Sequence, residues 1–286
     1  MARVIAVVNQ KGGVGKTTTV INIGAALTLL GKKVLLVDLD PQGNMSSGLN
    51  VSDAQVSEKN TYELLVAGKD AGSQIVRTAV RNLDCVPANT DLAGAEIELV
   101  DMPGREFRLK SSFSQGLDVY DYVLMDCPPS LGLLTINALC AADSYLIPMQ
   151  SEFFAMQGLT NILRTTSLIK QNFNSKLQEE GILLTMFDSR SNLSKQVYSE
   201  IREFAPRRLF ANVVPRRVRL AESTSHGVPG VIYDPTCFGS RSYLAVAKEL
   251  ILRSQGIVLD APQATVVPPD PIDRFGKSRG LVEKSV

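Results

Sequence analysis

Tryptophan is absent from this 286-residue chain, which has one histidine and four cysteines. The histidine, His226, has no partner at metal-ligand spacing, and no two cysteines form a Cys-x-x-Cys pair. A zinc site and a disulfide framework are therefore not expected, and a reducing compartment is the simpler interpretation of these thiols. The cysteines are Cys85, Cys127, Cys140 and Cys237.

Long apolar runs are also missing. No stretch approaches the roughly 20 residues that a membrane-spanning helix needs. The first apolar segment, Val4 to Val8, is too short for a signal peptide and leads directly into a glycine-rich loop. A cytoplasmic protein that does not act at a membrane is therefore expected.

The composition, 44% hydrophobic and 21% charged, suits one large α/β domain, which we place at residues 1–256. Four prolines then fall in a span without helical periodicity, at Pro262, Pro268, Pro269 and Pro271. Residues 257–286 are therefore predicted to be an extended or disordered tail. Its basic end is interpreted as a solubilising terminus, with an auxiliary DNA or partner contact as the alternative.

A glycine-rich loop lies between the first strand and the first helix. Residues 9–19 read Asn-Gln-Lys-Gly-Gly-Val-Gly-Lys-Thr-Thr-Thr, after the strand Val4 to Val8 and before the apolar helix Val20 to Leu30. In this context the glycines let backbone N–H groups converge on phosphate oxygens, and the helix N-terminus favours negative charge. Lys16 and Thr17 are placed for the β- and γ-phosphates and for Mg²⁺, so a nucleoside triphosphate is predicted as ligand.

Short apolar runs alternate with helical patterns along the rest of the chain. Such an alternation predicts an α/β fold with a doubly wound, mainly parallel sheet and helices on both faces, as in P-loop NTPases. The predicted strands are Val34 to Asp38, Leu83 to Pro87, Tyr122 to Asp126, Tyr145 to Met149, Ile182 to Phe187 and Leu209 to Val214. Ligands of such sheets bind beyond the carboxyl ends of the strands.

Three aspartates fall at or just beyond strand ends. Asp126 ends a buried strand and is predicted to hold Mg²⁺, while Asp38 supports Thr17 and the metal. Asp40 lies two residues after Asp38 and is predicted to orient the attacking water. A strand-ending aspartate can instead cap the following helix, and for Asp38 that alternative stays open.

Charge is distributed unevenly, although the net charge is only +1. Between residues 190 and 219 there are eight arginines and lysines and only two glutamates. A local basic patch on an otherwise acidic chain is typical of proteins that bind the phosphate backbone of nucleic acids. A solvated arginine-rich face is the alternative interpretation.

Several motifs resemble the ParA/Soj family within the ParA/MinD superfamily. The loop has Gln10 where the common pattern has glycine, and a second lysine, Lys11, precedes the glycine pair. Further similar stretches lie at 37–44 (Val-Asp-Leu-Asp-Pro-Gln-Gly-Asn), 126–132 (Asp-Cys-Pro-Pro-Ser-Leu-Gly) and 214–220 (Val-Pro-Arg-Arg-Val-Arg-Leu). The similarity covers roughly residues 2 to 255 and is identified with the small chromosomal type of the family.

The resemblance implies a slow ATPase that dimerises around two ATP molecules and binds double-stranded DNA without sequence preference. Stimulation of hydrolysis by a ParB-like partner would then drive segregation of a chromosome or plasmid, with the protein associated with the nucleoid. Lys11 would cross the dimer interface, Gly12 would have to stay small there, and Asp40 would support hydrolysis. The implied DNA contacts are Arg190, Arg216, Arg217 and Arg219.

The catalytic residues expected on this basis are Lys11, Lys16 and Asp40. The metal is assigned to Thr17, Asp38 and Asp126. The predicted nucleotide contacts are Lys11, Gly12, Gly13, Val14, Gly15, Lys16, Thr17, Thr18 and Pro215.

Other functions remain open at the level of sequence. A MinD-like membrane-cycling ATPase would need a C-terminal amphipathic helix, which the proline-containing tail does not supply. An amide-forming synthetase would need a pocket for a small acid, and an iron–sulfur reductase would need ligating cysteines. A ParA-like protein that positions protein cargo instead of DNA would share every residue named above.

Overall fold

The computed structural model describes residues 2–261. Most of the predicted tail, from residue 262 onward, lies outside the described residues, and the predicted division at residue 256 stays a prediction. The last described residue, Ala261, is buried, and its carbonyl oxygen accepts a hydrogen bond from Arg202 Nε at 3.0 Å.

Seven strands form one sheet in the order β3-β4-β2-β5-β1-β6-β7. All neighbouring pairs are parallel except β3 with β4, so the predicted mainly parallel sheet is confirmed. The strands are β1 (Arg3–Val7), β2 (Val34–Asp38), β3 (Val76–Arg77), β4 (Leu83–Val86), β5 (Tyr122–Asp126), β6 (Ser144–Gln150) and β7 (Gln178–Thr185).

Helices connect the strands, and many of them are only one or two turns long. They are α1 (Lys16–Leu29), α2 (Asn44–Gly48), α3 (Asp53–Glu58), α4 (Thr61–Leu65), α5 (Ala71–Gln74), α6 (Leu92–Glu98), α7 (Arg108–Ser112), α8 (Leu133–Ala141), α9 (Ala155–Asn172), α10 (Asn192–Phe204), α11 (Val218–Ser225), α12 (Gly230–Tyr233) and α13 (Phe238–Ser254). Two 3₁₀ turns lie at Leu99–Asp101 and Arg105–Phe107. Within residues 2–261, no helix combines the length and the apolar character needed to cross a bilayer.

The sheet is buried on both faces because alternate residues of each strand enter two separate apolar cores. In β1, Val4 and Ala6 belong to one core, whereas Ile5 and Val7 belong to the other. The first core contains residues from α4, α6, α8, α9 and α10, and the second contains residues from α1, α2, α11, α12 and α13. This arrangement confirms the predicted doubly wound sheet with helices on both faces.

The predicted strand Leu209 to Val214 is wrong. This segment lies beside β7, with Phe210 N bonded to Ile182 O and Val214 N bonded to Leu184 O, but it forms only an isolated bridge there. Between these bonds, the backbone N–H groups of Ala211 and Asn212 donate to the buried carboxylate of Glu249 on α13, at 2.8 and 3.1 Å. The Glu249 side chain thus satisfies backbone N–H groups that would otherwise pair with a neighbouring strand.

Candidate functional site

The glycine-rich loop lies at the carboxyl edge of the sheet, between β1 and α1. Gly13 and Gly15 have φ values of +73° and +85°, a region that a residue with a Cβ adopts only with strain. Neighbouring strands hold the loop, because Gln150 Nε2 donates to Gly13 O at 2.8 Å and Thr185 Oγ1 donates to Val14 O at 2.7 Å. The loop is therefore fixed by β6 and β7 as well as by its own glycines.

Lys16 begins α1 and is buried against the loop, with 7% of its surface exposed. Its Nζ donates to the carbonyl oxygens of Asn9, at 3.0 Å, and Lys11, at 3.3 Å. Burial lowers the pKa of Lys16, and the nearby carboxyl of Asp126 opposes that shift. The ammonium group is thus held by neutral partners in the place that a phosphate ligand would require.

Asp126 ends β5 and is fully buried, and neither carboxylate oxygen has a hydrogen-bond partner among the described residues. Burial, followed by the charge of Asp38, raises the pKa of Asp126 well above its usual value. The Thr17 hydroxyl lies beside Asp126 and lowers the pKa of Asp126 in part, although the two groups do not form a hydrogen bond of ordinary geometry. A buried carboxylate without a partner, beside a hydroxyl, fits a hard divalent cation such as Mg²⁺.

The Asp38 carboxylate is already occupied by its own chain. Oδ2 accepts bonds from Ser46 N at 3.0 Å and Ser46 Oγ at 2.8 Å, which ties β2 to α2. Burial raises the pKa of Asp38 to about 6, although the bonds from Ser46 lower it in part. Asp38 therefore suits a supporting role, and Asp126 is the carboxylate available to a metal.

Asp40 lies close to both Asp126 and Lys16, since its charge acts on the pKa of each. Its side chain is mostly buried, and Oδ1 accepts a bond from Gln42 N at 3.0 Å. Asp38, Asp40, Asp126, Lys16 and Thr17 are thus brought together at one edge of the sheet.

Lys11 differs from Lys16 in being exposed. It forms an ion pair with Glu152, in the turn between β6 and α9. A Cβ built on Gly12 would meet no heavy atom within 4 Å, so no contact within the described residues of one chain requires glycine there. The sequence motifs do not predict a role for Glu152. Its position two residues beyond β6, at the carboxyl edge of the sheet, is the feature that could have indicated one.

An apolar cavity of about 340 Å³ lies beside the loop. Gly15 and Thr18 form one side of it, and Met186, Pro215 and Val218 are among the residues of the other. Met186 follows β7 with a φ of +51°, which turns the chain around this cavity. The predicted nucleotide contacts Thr18 and Pro215 both line this cavity, and Met186 is a lining residue that the sequence did not predict.

A second groove, of about 620 Å³, contains three of the four predicted DNA-binding arginines: Arg190, Arg216 and Arg217. Phe187, Asp188 and Phe238 also line it, and Arg217 Cζ lies 5.6 Å from the centroid of the Phe238 ring. This arginine groove shares the segment 215–218 with the apolar cavity.

Acidic side chains pair with two of the predicted arginines. Arg190 Nε and Nη2 donate to the two carboxylate oxygens of Asp188, at 3.1 and 3.2 Å. Arg219 follows on α11, where Nη1 donates to Glu222 Oε2 at 3.1 Å and Nε lies 3.8 Å from Asp234 Oδ2.

The basic segment 190–219 does not form one continuous surface. Arg208 pairs with Glu179, near the amino end of β7, and Arg202 bonds to the carbonyl oxygen of Ala261. Arg190, Arg216 and Arg217, from the two ends of the segment, line the arginine groove, whereas Arg202 and Arg208 do not. The linear charge run therefore overstated the size of the basic patch.

Three features together define a P-loop nucleoside triphosphatase. They are the glycine-rich loop between a strand and a helix, the buried lysine on that loop, and the buried aspartate at the end of the neighbouring strand β5, which has no hydrogen-bond partner among the described residues. A family profile described as an AAA domain matches residues 2–179. Soj of Bacillus subtilis is 51% identical over 250 residues, covering 87% of this chain and 98% of that protein. ParA of Myxococcus xanthus is 48% identical over 253 residues, covering 88% and 89%.

The chain therefore belongs to the ParA/Soj family of deviant Walker A partition ATPases, which confirms the resemblance read from the sequence. A crystal structure of cobyrinic acid a,c-diamide synthase from Mycobacterium smegmatis has a TM-score of 0.78 and 37% identity, covering 92% of this chain and 99% of that one. That structure contains ADP and magnesium, in agreement with the predicted cofactors ATP and Mg²⁺.

Proposed function

We propose that this protein is a partition ATPase that binds DNA as an ATP-dependent dimer and leaves it after hydrolysis stimulated by a ParB-like partner. Segregation of a chromosome or plasmid would follow from repeated rounds of this cycle. The observation that carries the proposal is the segment 215–218, which borders both the cavity beside the phosphate loop and the arginine groove.

ATP is assigned to the loop at 11–18, with its phosphates against the backbone N–H groups and Lys16. The base is assigned to the cavity bordered by Thr18 and Pro215. Thr17 and Asp126 are the proposed Mg²⁺ ligands, and Asp38 keeps β2 and α2 in place around them. A bound Mg²⁺ would neutralise the charge that develops on the transferred phosphoryl group.

Asp40 is proposed to orient the water that attacks the γ-phosphate. It is mostly buried and close to Lys16 and Asp126, and its backbone position is fixed by the turn that continues through Gln42. Because phosphoryl transfer depends mainly on positioning, a held carboxylate at this place is sufficient for the role.

Lys11 supports the proposed dimer. Its exposed ammonium pairs with the exposed carboxylate of Glu152, so it is available to exchange this partner for the nucleotide of a second copy. The open space around Gly12 also supports a contact at this face, because any need for a small residue there must come from a partner.

DNA binding is assigned to Arg190, Arg216, Arg217 and Arg219. Guanidinium groups bind phosphate through several donors in any sequence context, which gives binding that depends on salt and not on sequence. A nucleotide in the adjoining cavity would press on the same segment that carries Arg216 and Arg217, and this is the proposed route from ATP to DNA.

The test is binding of the purified protein to nonspecific duplex DNA with ATP, ADP or no nucleotide, repeated across a salt series. We expect DNA to be retained with ATP but not with ADP or without nucleotide, and we expect this binding to weaken steeply as the salt concentration rises. Equal retention under all three conditions would contradict the nucleotide link. If DNA is not retained under any condition, the protein acts instead on protein cargo or at a membrane. Co-sedimentation with anionic vesicles distinguishes these two alternatives.

A further inference from the structure

Acidic neighbours already occupy part of the proposed DNA-binding surface. We propose that Asp188 and Glu222 compete with DNA phosphates for Arg190 and Arg219, so that the surface binds DNA weakly enough to release it readily. This inference rests on the proposed function and concerns how strongly the same surface holds DNA.

The pair between Arg190 and Asp188 imitates a phosphate complex. Both carboxylate oxygens accept bonds from one guanidinium, as two phosphate oxygens would. The side chain of Arg190 is 90% exposed, so no burial prevents a phosphate from taking its place. Oδ1 of Asp188 also accepts Arg190 N at 3.0 Å, and this turn holds the acid beside the arginine.

Glu222 occupies the corresponding position beside Arg219. The two residues are three apart on α11, which places them on the same face of the helix, and both side chains are about half exposed. Asp234 is a less suitable competitor, because its Oδ1 accepts bonds from the Thr236 and Cys237 backbone that hold the turn before α13. Glu222 therefore acts on Arg219 without a comparable role in the turn.

Exposed ion pairs of this kind are weak, so a phosphate can displace the acid, but part of the phosphate's binding energy is lost in doing so. The displaced carboxylate then stays close to the DNA backbone and repels it. Both effects are strongest at low salt, because ions screen exposed charges over about 10 Å at 0.1 M.

The test compares DNA affinity in ATP for the wild type, Asp188→Asn, Glu222→Gln and their combination. Each single change should tighten binding by about two- to fivefold at low salt, and the gain should shrink as salt rises. Asparagine keeps an oxygen for the turn bond to Arg190 N. Asp118→Asn, an exposed acid before β5 at the opposite edge of the sheet, is the control for net charge and should change affinity less.

A double-mutant cycle tests whether competition for the arginine is the cause. In an Arg190→Ala background, Asp188→Asn should lose most of its gain, because no guanidinium remains to be released. The inference is rejected if the gains in DNA affinity are no larger than that of Asp118→Asn, or if they persist without Arg190. In either case, DNA binding by the wild type would still support the proposed function. No DNA retention by any of these proteins in ATP would instead reject the proposed function.

Discussion

Lys16 and Arg190 are both cations that we propose to bind phosphate, yet their surroundings differ. Lys16 is 7% exposed and is held by two backbone carbonyl oxygens, whereas the Arg190 side chain is 90% exposed and is held by a carboxylate. The hydrogen bonds of Lys16 go to neutral carbonyl groups, with the Asp126 and Asp40 carboxyls nearby, whereas Arg190 donates directly to the Asp188 carboxylate. The first arrangement favours tight binding of one ligand in one geometry, and the second favours reversible binding to many DNA sequences.

The largest expected effect is that of Lys16→Ala. Removing a buried cation from the phosphate loop should weaken ATP binding by about 100-fold or more, because bonds from ionised donors to phosphate are among the strongest in proteins. Titration with a fluorescent ATP analogue measures this loss. Lys11→Ala is the matched control and should retain most of the monomer's affinity, since Lys11 is exposed and paired with Glu152. Similar losses for both variants would remove the distinction between the two lysines.

Gly12→Val is expected to separate nucleotide binding from dimerisation. A Cβ at residue 12 meets no heavy atom within 4 Å, so the free energy of unfolding should change by less than about 1 kcal/mol. Light scattering with ATP should then find a monomer where the wild type forms a dimer. A dimeric Gly12→Val protein would argue against a close contact at this face, and a protein with a greatly lowered melting temperature would contradict the open space seen in one chain.

The smallest of the three effects concerns Arg219, the proposed DNA contact on α11. Arg219→Glu should weaken ATP-dependent DNA binding by about tenfold or more while dimerisation persists, because it replaces a phosphate contact by repulsion. Arg207→Glu makes the same charge change in the same basic segment. Arg207 adjoins Arg208, which pairs with Glu179 near the amino end of β7, so Arg207→Glu should change DNA binding less than about twofold. Equal losses, measured by filter binding at moderate salt, would mean that overall charge matters and the position of Arg219 does not.

Much of the fold was predictable because its determinants are local. Alternating apolar runs predicted β2 and β5 with their observed bounds, and the glycine pattern placed the loop between β1 and α1. The segment 209–214 was mistaken for a strand because its apolar residues match one, whereas Glu249, 35 or more residues later, takes the backbone donors in its centre. Such a distant competitor leaves no mark in the local pattern.

The candidate site follows the same division. That residues 11–18, Asp38, Asp40 and Asp126 lie at one edge of the sheet could be predicted, because parallel strands bring their carboxyl ends together; their roles stay predictions. Glu152 and Met186 were not predicted, since neither belongs to a phosphate-binding pattern; their roles depend on which strand ends become neighbours. The composition of the basic segment predicts a positive charge, but it does not predict how the arginines are divided between the two edges of the sheet.

The cysteines of this chain make the segment 215–218 accessible to site-selective labelling. Cys85, Cys127 and Cys140 are buried, and burial raises the pKa of Cys85 to about 12 and that of Cys140 to about 11, so these thiols react slowly. Val218 is 73% exposed and borders both the apolar cavity and the arginine groove. With Cys237 replaced by serine, a fluorophore attached at Val218→Cys would report from one position on ATP and DNA, the two proposed ligands, and on the order in which they bind.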